Sequence, residues 1–156
     1  MTARAGRTFA RVAAVQALFQ SEQAGVSAEA VIDEFIRHRM GTLPGTGGFE
    51  DGRVPEAEVP LFAAIVRAAA SGQETIDAML VAALPEEWPL PRLDPVLRAL
   101  LRAGAAELMR ADGPPAKVVI NEYLNVAHGF LEGDTPRMAN AILDRLARRL
   151  RAAEFA

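Results

Sequence analysis

Apolar positions recur at three- and four-residue spacing along most of the chain, and no stretch sustains the alternation of a half-buried strand. The periodicity predicts helices over about 6–23, 28–40, 58–71, 73–84 and 95–111, a sixth from about Pro115, and a seventh running to about 152. In the first, Val12, Val15, Leu18 and Phe19 share an apolar face, and Gly25 ends the pattern. Ser27 is the expected N-cap of the second, which turns Val31, Ile32, Phe35 and Ile36 inward. Asp94-Pro95 is a strong start signal, an Asp cap followed by a proline whose missing N–H costs nothing at that position. The helix it opens places Leu97, Leu100, Leu101, Ala105 and Leu108 on its apolar side. Asp134 or Thr135 followed by Pro136 repeats that grammar for the last helix. Seven helices with mostly short connections predict an all-α bundle. The proline-rich "PEEWPLP" (85–91) predicts two packed helical subdomains, about 1–84 and 92–153.

The segment "GTLPGTGGFEDGRVPE" (41–56) reads as a long mobile loop. Its glycines do not form a phosphate cradle, because no strand precedes them and no Gly-Lys-Ser/Thr follows.

Composition removes several function classes. The 156-residue chain has no cysteine, so disulfides, thiolate metal sites and cysteine nucleophiles are excluded. Two histidines, His38 and His128, are too few for a His-rich metal site. The most apolar window, "LFAAIVRAAA" (61–70), is far shorter than a membrane span and is broken by Arg67. The basic N-terminus lacks the apolar core of a secretory signal, so a cytoplasmic protein is expected. Ser21, Ser27 and Ser71 each stand beside a helix end or break, where capping accounts for them. Asp33-Glu34 and Glu86-Glu87 are adjacent pairs that diverge on a helix rather than converge on a substrate. His38, beside Arg37 and Arg39, reads as a residue compensating a helix C-terminus. No enzymatic activity and no cofactor are expected.

Charge is uneven in a way the total of −3 conceals. Residues 1–20 carry +3, residues 21–91 carry −8, and residues 92–156 carry +2. Solvated helix faces alone would produce some asymmetry of this kind. Arg4, Arg7 and Arg11 are three and four apart, so a helix puts them on one face, with no carboxylate in reach on that face. They read either as a frayed, solvated terminus or as a phosphate-contacting arm. In "KVVINEYLNVAH" (117–128), Lys117, Asn121, Asn125 and His128 fall within about 80° of arc at 100° per residue. Ile120, Tyr123, Leu124, Ala127, Phe130 and Leu131 occupy a separate, broad apolar arc. Asparagine is a poor helix former, so two on one stripe point to hydrogen bonding. That bonding either ties down a neighbouring loop or faces a ligand, with Asp134, Arg137 and Met138 extending the stripe.

At these residues the chain resembles the NusB family. "ARVAAVQALFQ" (10–20), "LRAGAAELM" (101–109) and "PAKVVINEYLNVAHGFLEGDTPRMANAILDRLAR" (115–148) carry the likeness in the family's order. Within them stand Pro115, Lys117, Ile120, Asn121, Glu122 and then Asn140, Leu143, Asp144, at the family's motif positions. The resemblance implies a seven-helix fold of two three-helix-bundle-like subdomains and no catalysis. It implies pairing with NusE, a small-subunit ribosomal protein, and binding of single-stranded boxA in nascent ribosomal RNA. Other Nus factors and RNA polymerase would be engaged indirectly. By position, the implied RNA-binding residues are Arg4, Arg7, Arg11, Arg102, Lys117, Asn121, Asp134, Arg137 and Met138. Met138 stands where several members have Phe, and so offers apolar contact without a π-face. Phe19 and Leu97 fall where the partner protein is expected, Leu97 in place of a commonly acidic residue. Two other readings stay open: an accessory module of a ribosomal-RNA cytosine methyltransferase, and a helical adaptor or homodimer without an RNA role.

Overall fold

The computed structural model describes residues 3–40 and 57–156, and the expected 41–56 loop lies outside the described residues. Among the described residues seven α-helices follow one another: α1 (Ala3–Ala24), α2 (Ala28–His38), α3 (Val59–Ser71), α4 (Gln73–Ala83), α5 (Pro95–Leu108), α6 (Ala116–Phe130) and α7 (Thr135–Leu150). Short 3₁₀ turns occupy Leu90–Arg92 and Ala152–Phe155. Among the described residues there is no strand, and no helix is long and apolar enough to cross a membrane. The all-α expectation holds, with most helix ends within two or three residues of their predicted positions.

Two compact units divide the chain, Met1–Arg67 and Ala68–Ala156. The boundary falls inside α3, whereas the sequence placed it at the proline-rich 85–91 segment. The physical reason is α4, which packs on α5 and α7 and so joins the C-terminal unit.

In the N-terminal unit α1 packs on α2. Gly25, at φ +67°, makes the turn between them in a conformation that L-residues avoid. The Ser27 hydroxyl accepts from the Ala30 N–H at 3.1 Å and caps α2 as expected. Phe35 of α2 stacks on Phe62 of α3 with ring centroids 5.6 Å apart, both rings fully buried. Ile36, expected inward, is 40% exposed.

The C-terminal unit is built around α5, which contacts α4, α6 and α7. Asp94 accepts from the N–H groups of Val96 (2.8 Å) and Leu97 (3.2 Å), the predicted cap. From Leu97 to Leu108 every residue of α5 is buried except Arg102, the pattern of a helix enclosed on all sides. Gly104 allows α7 to approach closely: a Cβ there would lie 2.8 Å from Cδ2 of Leu143. The family motifs around Gly104 and Leu143 are therefore, in part, a packing contact. Arg98 is buried too, and its Nη1 donates to the carbonyls of Leu90 (3.2 Å) and Leu93 (2.9 Å), fixing the 3₁₀ connector to α5.

Candidate nucleic-acid interface

α6 is the helix on which the predicted polar stripe can be tested. It buries Ala116, Val119, Ile120, Glu122, Tyr123, Val126 and Ala127 at helical spacing. Lys117, Asn121, Asn125 and His128 are all exposed, so the stripe is a solvent-facing edge rather than a loop tether. Val118, 45% exposed, borders the same edge and adds an apolar element that the sequence did not single out. From Lys117 to Phe130 the helix rises about 20 Å, giving a strip and not a point. The turn into α7 uses Gly133 at φ +64°, after which Asp134 and Arg137 are exposed and Met138 is half-buried. Among the described residues neither Lys117 nor Arg137 forms an ion pair, so both cationic heads are available to an anion.

The other expected site residues divide. Arg4 and Arg7 are exposed on α1, and Arg4 engages another group of the protein. Arg11 is only 2% exposed and is engaged within the protein, so it does not belong to an exposed arm. The cause is that residues 10–15 of α1 are all buried: this part of the helix has no solvent face for an arginine to occupy. Arg102 places Nε and Nη2 each 2.9 Å from the Asp77 carboxylate, a two-pronged pair joining α5 to α4. Its side chain is 12% exposed, so the pair holds the unit together and leaves little of the guanidinium for RNA. Phe19 is half-buried. Leu97 is 1% exposed and packed in the core of the unit, which removes it from any partner contact in this conformation. Its place on the inner side of α5 already followed from the helical count.

Several polar contacts that hold the C-terminal unit together have little or no signal in the sequence. Tyr123 Oη donates to Glu107 Oε1 at 2.8 Å, a buried cross-link between α6 and α5. A glutamate inside the apolar "GAAELM" run was its only signal. Arg145 Nη1 donates to the Ala83 carbonyl at 2.7 Å and closes the end of α4. Arg151 gathers the carbonyls at the end of α5: Nε to Leu108 (2.8 Å) and Nη2 to Arg110 (3.0 Å). Among the described residues, no cluster of three or more His, Cys, Asp or Glu could hold a metal ion.

The edge of α6 and the start of α7 thus present hydrogen-bonding and cationic groups to solvent. The NusB family model matches residues 8–148. A transcription antitermination protein NusB from Granulibacter bethesdensis is 68% identical over 150 residues, which cover 96% of this chain and 92% of that one. A solved NusB from T. maritima is 26% identical, with a TM-score of 0.74 over 96% of both chains. A crystal structure of the antitermination factors NusB and NusE in complex with dsRNA matches with a TM-score of 0.73, over 95% of this chain and 99% of that one. At 19% identity this last likeness speaks for the fold alone. The extent of the family match and the identity to the Granulibacter protein settle the point: the chain belongs to the NusB family.

Proposed function

We propose that this chain is a non-enzymatic, cytoplasmic transcription antitermination factor that binds RNA, and that with a NusE-type ribosomal protein it recognises boxA in nascent ribosomal RNA. Other Nus factors and RNA polymerase are reached through that complex. The observation that carries the reading is the α6 edge, where Lys117 and Asn121 stand exposed on a helix otherwise committed to the core. Arg137, which forms no ion pair among the described residues, supplies a second exposed cation at the start of α7, near exposed Asp134 and half-buried Met138. Arg4 and Arg7 add positive charge from α1. A shallow strip of this kind suits splayed bases and phosphates of a single strand better than the grooves of a duplex. The acidic segment 21–91, at −8, discourages indiscriminate RNA contact elsewhere.

The test is a titration of boxA RNA, a scrambled strand and the duplex form, with and without NusE, across a salt series. Preferential binding of single-stranded boxA, strengthened by NusE, is expected. Replacing Arg7, Lys117 and Arg137 by alanine should lower the salt slope by about 2, since each phosphate contact on a single strand contributes about 0.7. Equal weak binding of all three RNAs, indifferent to NusE, refutes the reading.

A further inference from the structure

The family match ends at residue 148, and the 3₁₀ segment Ala152–Phe155 lies beyond it. That segment reaches back to the start of α6. Pro115, at the N-cap position, offers no side-chain acceptor, so the first N–H groups of α6 need one from elsewhere. Glu154 supplies it: Oε1 accepts from the Ala116 N–H at 2.8 Å. The same carboxylate, through Oε2, accepts from Arg151 Nη1 at 2.8 Å. That Nη1 also donates to the Pro114 carbonyl at 3.1 Å, while the rest of the guanidinium holds the end of α5. The far side of the segment is tied to α7, where the Arg148 guanidinium lies 4.7 Å from the Phe155 ring centroid. One guanidinium and one carboxylate thus close both ends of the 109–115 connection, immediately before Lys117.

We infer that Glu154, held by Arg151, is a positioning residue for RNA binding: it replaces the missing N-cap of α6 and keeps the helical turn that carries Lys117 formed before RNA arrives. The inference rests on the RNA-binding reading. Without the carboxylate the first turn frays, and RNA must order it again at the cost of binding. The bonds from Ala116 and Arg151 also hold the Glu154 carboxyl below its ordinary pKa, so the cap is charged at neutral pH.

Charge alone predicts the opposite sign. Removing an acidic group near a polyanion's site should tighten binding, whereas loss of positioning weakens it. The full-length protein should therefore be compared with Glu154→Ala and Glu154→Gln, using boxA RNA with NusE. Glu154→Ala should weaken binding about fivefold, the equivalent of one helix cap. It should also lower the salt slope by up to about 0.7 as the Lys117 contact is lost. Amide exchange at Ala116 and Lys117 should accelerate, which is read without RNA. Glu154→Gln keeps the acceptor and should retain most of the affinity. Exchange unchanged in Glu154→Ala, or RNA bound as tightly as by the unsubstituted protein or tighter, overturns the inference. Failure of the unsubstituted protein to prefer boxA would instead overturn the functional reading beneath it.

Discussion

Gly104→Ala is the sharpest test of how the C-terminal unit is assembled. Alanine is normally the better helix former, by about 1 kcal/mol, so an unconstrained site in mid-helix would gain stability. Here the new methyl would lie 2.8 Å from Cδ2 and 3.2 Å from Cδ1 of Leu143. Leu143 is fully buried on α7, so its δ-carbons can move only by displacing packed neighbours. Overpacking of this kind costs about 1–3 kcal/mol, and a contact on two carbons belongs at the upper end. The expected net loss is about 1–2 kcal/mol, a fall in Tm of about 3–6 °C at this chain length. Urea titration followed by circular dichroism reads it as a lower midpoint at unchanged slope. In a Leu143→Ala background the obstruction is gone, and the same Gly104→Ala change should become stabilising. A stabilising effect in the presence of Leu143, or identical effects in both backgrounds, would refute the close-approach argument.

Two further outcomes follow from the ion pairs. Arg102→Gln and Asp77→Asn should each lower stability by about 2 kcal/mol, since each breaks the partly buried, two-pronged pair that joins α5 to α4. Both should change RNA affinity far less than Lys117→Ala; a selective loss of RNA binding in Arg102→Gln alone would restore Arg102 to the interface. Glu29, hydrogen-bonded to Arg67 at 2.8 and 2.9 Å, has its carboxyl held below the ordinary value of 4.5 by that bond first and the guanidinium charge second. A depressed folded-state pKa means the pair's contribution is complete above the unfolded value and is lost as pH falls through the folded one. Stability should therefore decline on the acid side of pH 4.5, and Glu29→Gln should flatten that limb of a midpoint-against-pH plot.

Helix order was legible because its signals are local. Ser27, Asp94 and Gly25 act within four residues of where they stand, and the structure uses each as expected. Periodicity likewise separated the two sides of α6, because exposure there follows the angle around one helix axis. The subdomain boundary was not legible, since three prolines in 85–91 mark a break in the chain but not in the packing. What keeps α4 with α5 and α7 is contact between residues distant in sequence, such as Asp77 with Arg102 and Ala83 with Arg145.

Arginine shows why the candidate site was only partly readable. Arg7 and Arg137 are exposed, whereas Arg98, Arg102 and Arg151 spend their donors inside the protein. Nothing in the local sequence separates these groups, because a guanidinium suits phosphate and a helix-end carbonyl equally well. The deciding partner lies far along the chain: Asp77 is 25 residues from Arg102, and Leu108 is 43 from Arg151. Lys117 differs because its neighbours at helical spacing, Asn121 and Asn125, carry no charge to pair with it. A cation on a stripe of neutral amides is left unneutralised by its own helix, and burial of the opposite face prevents it from turning inward. That combination, rather than positive charge as such, is what identified the α6 edge.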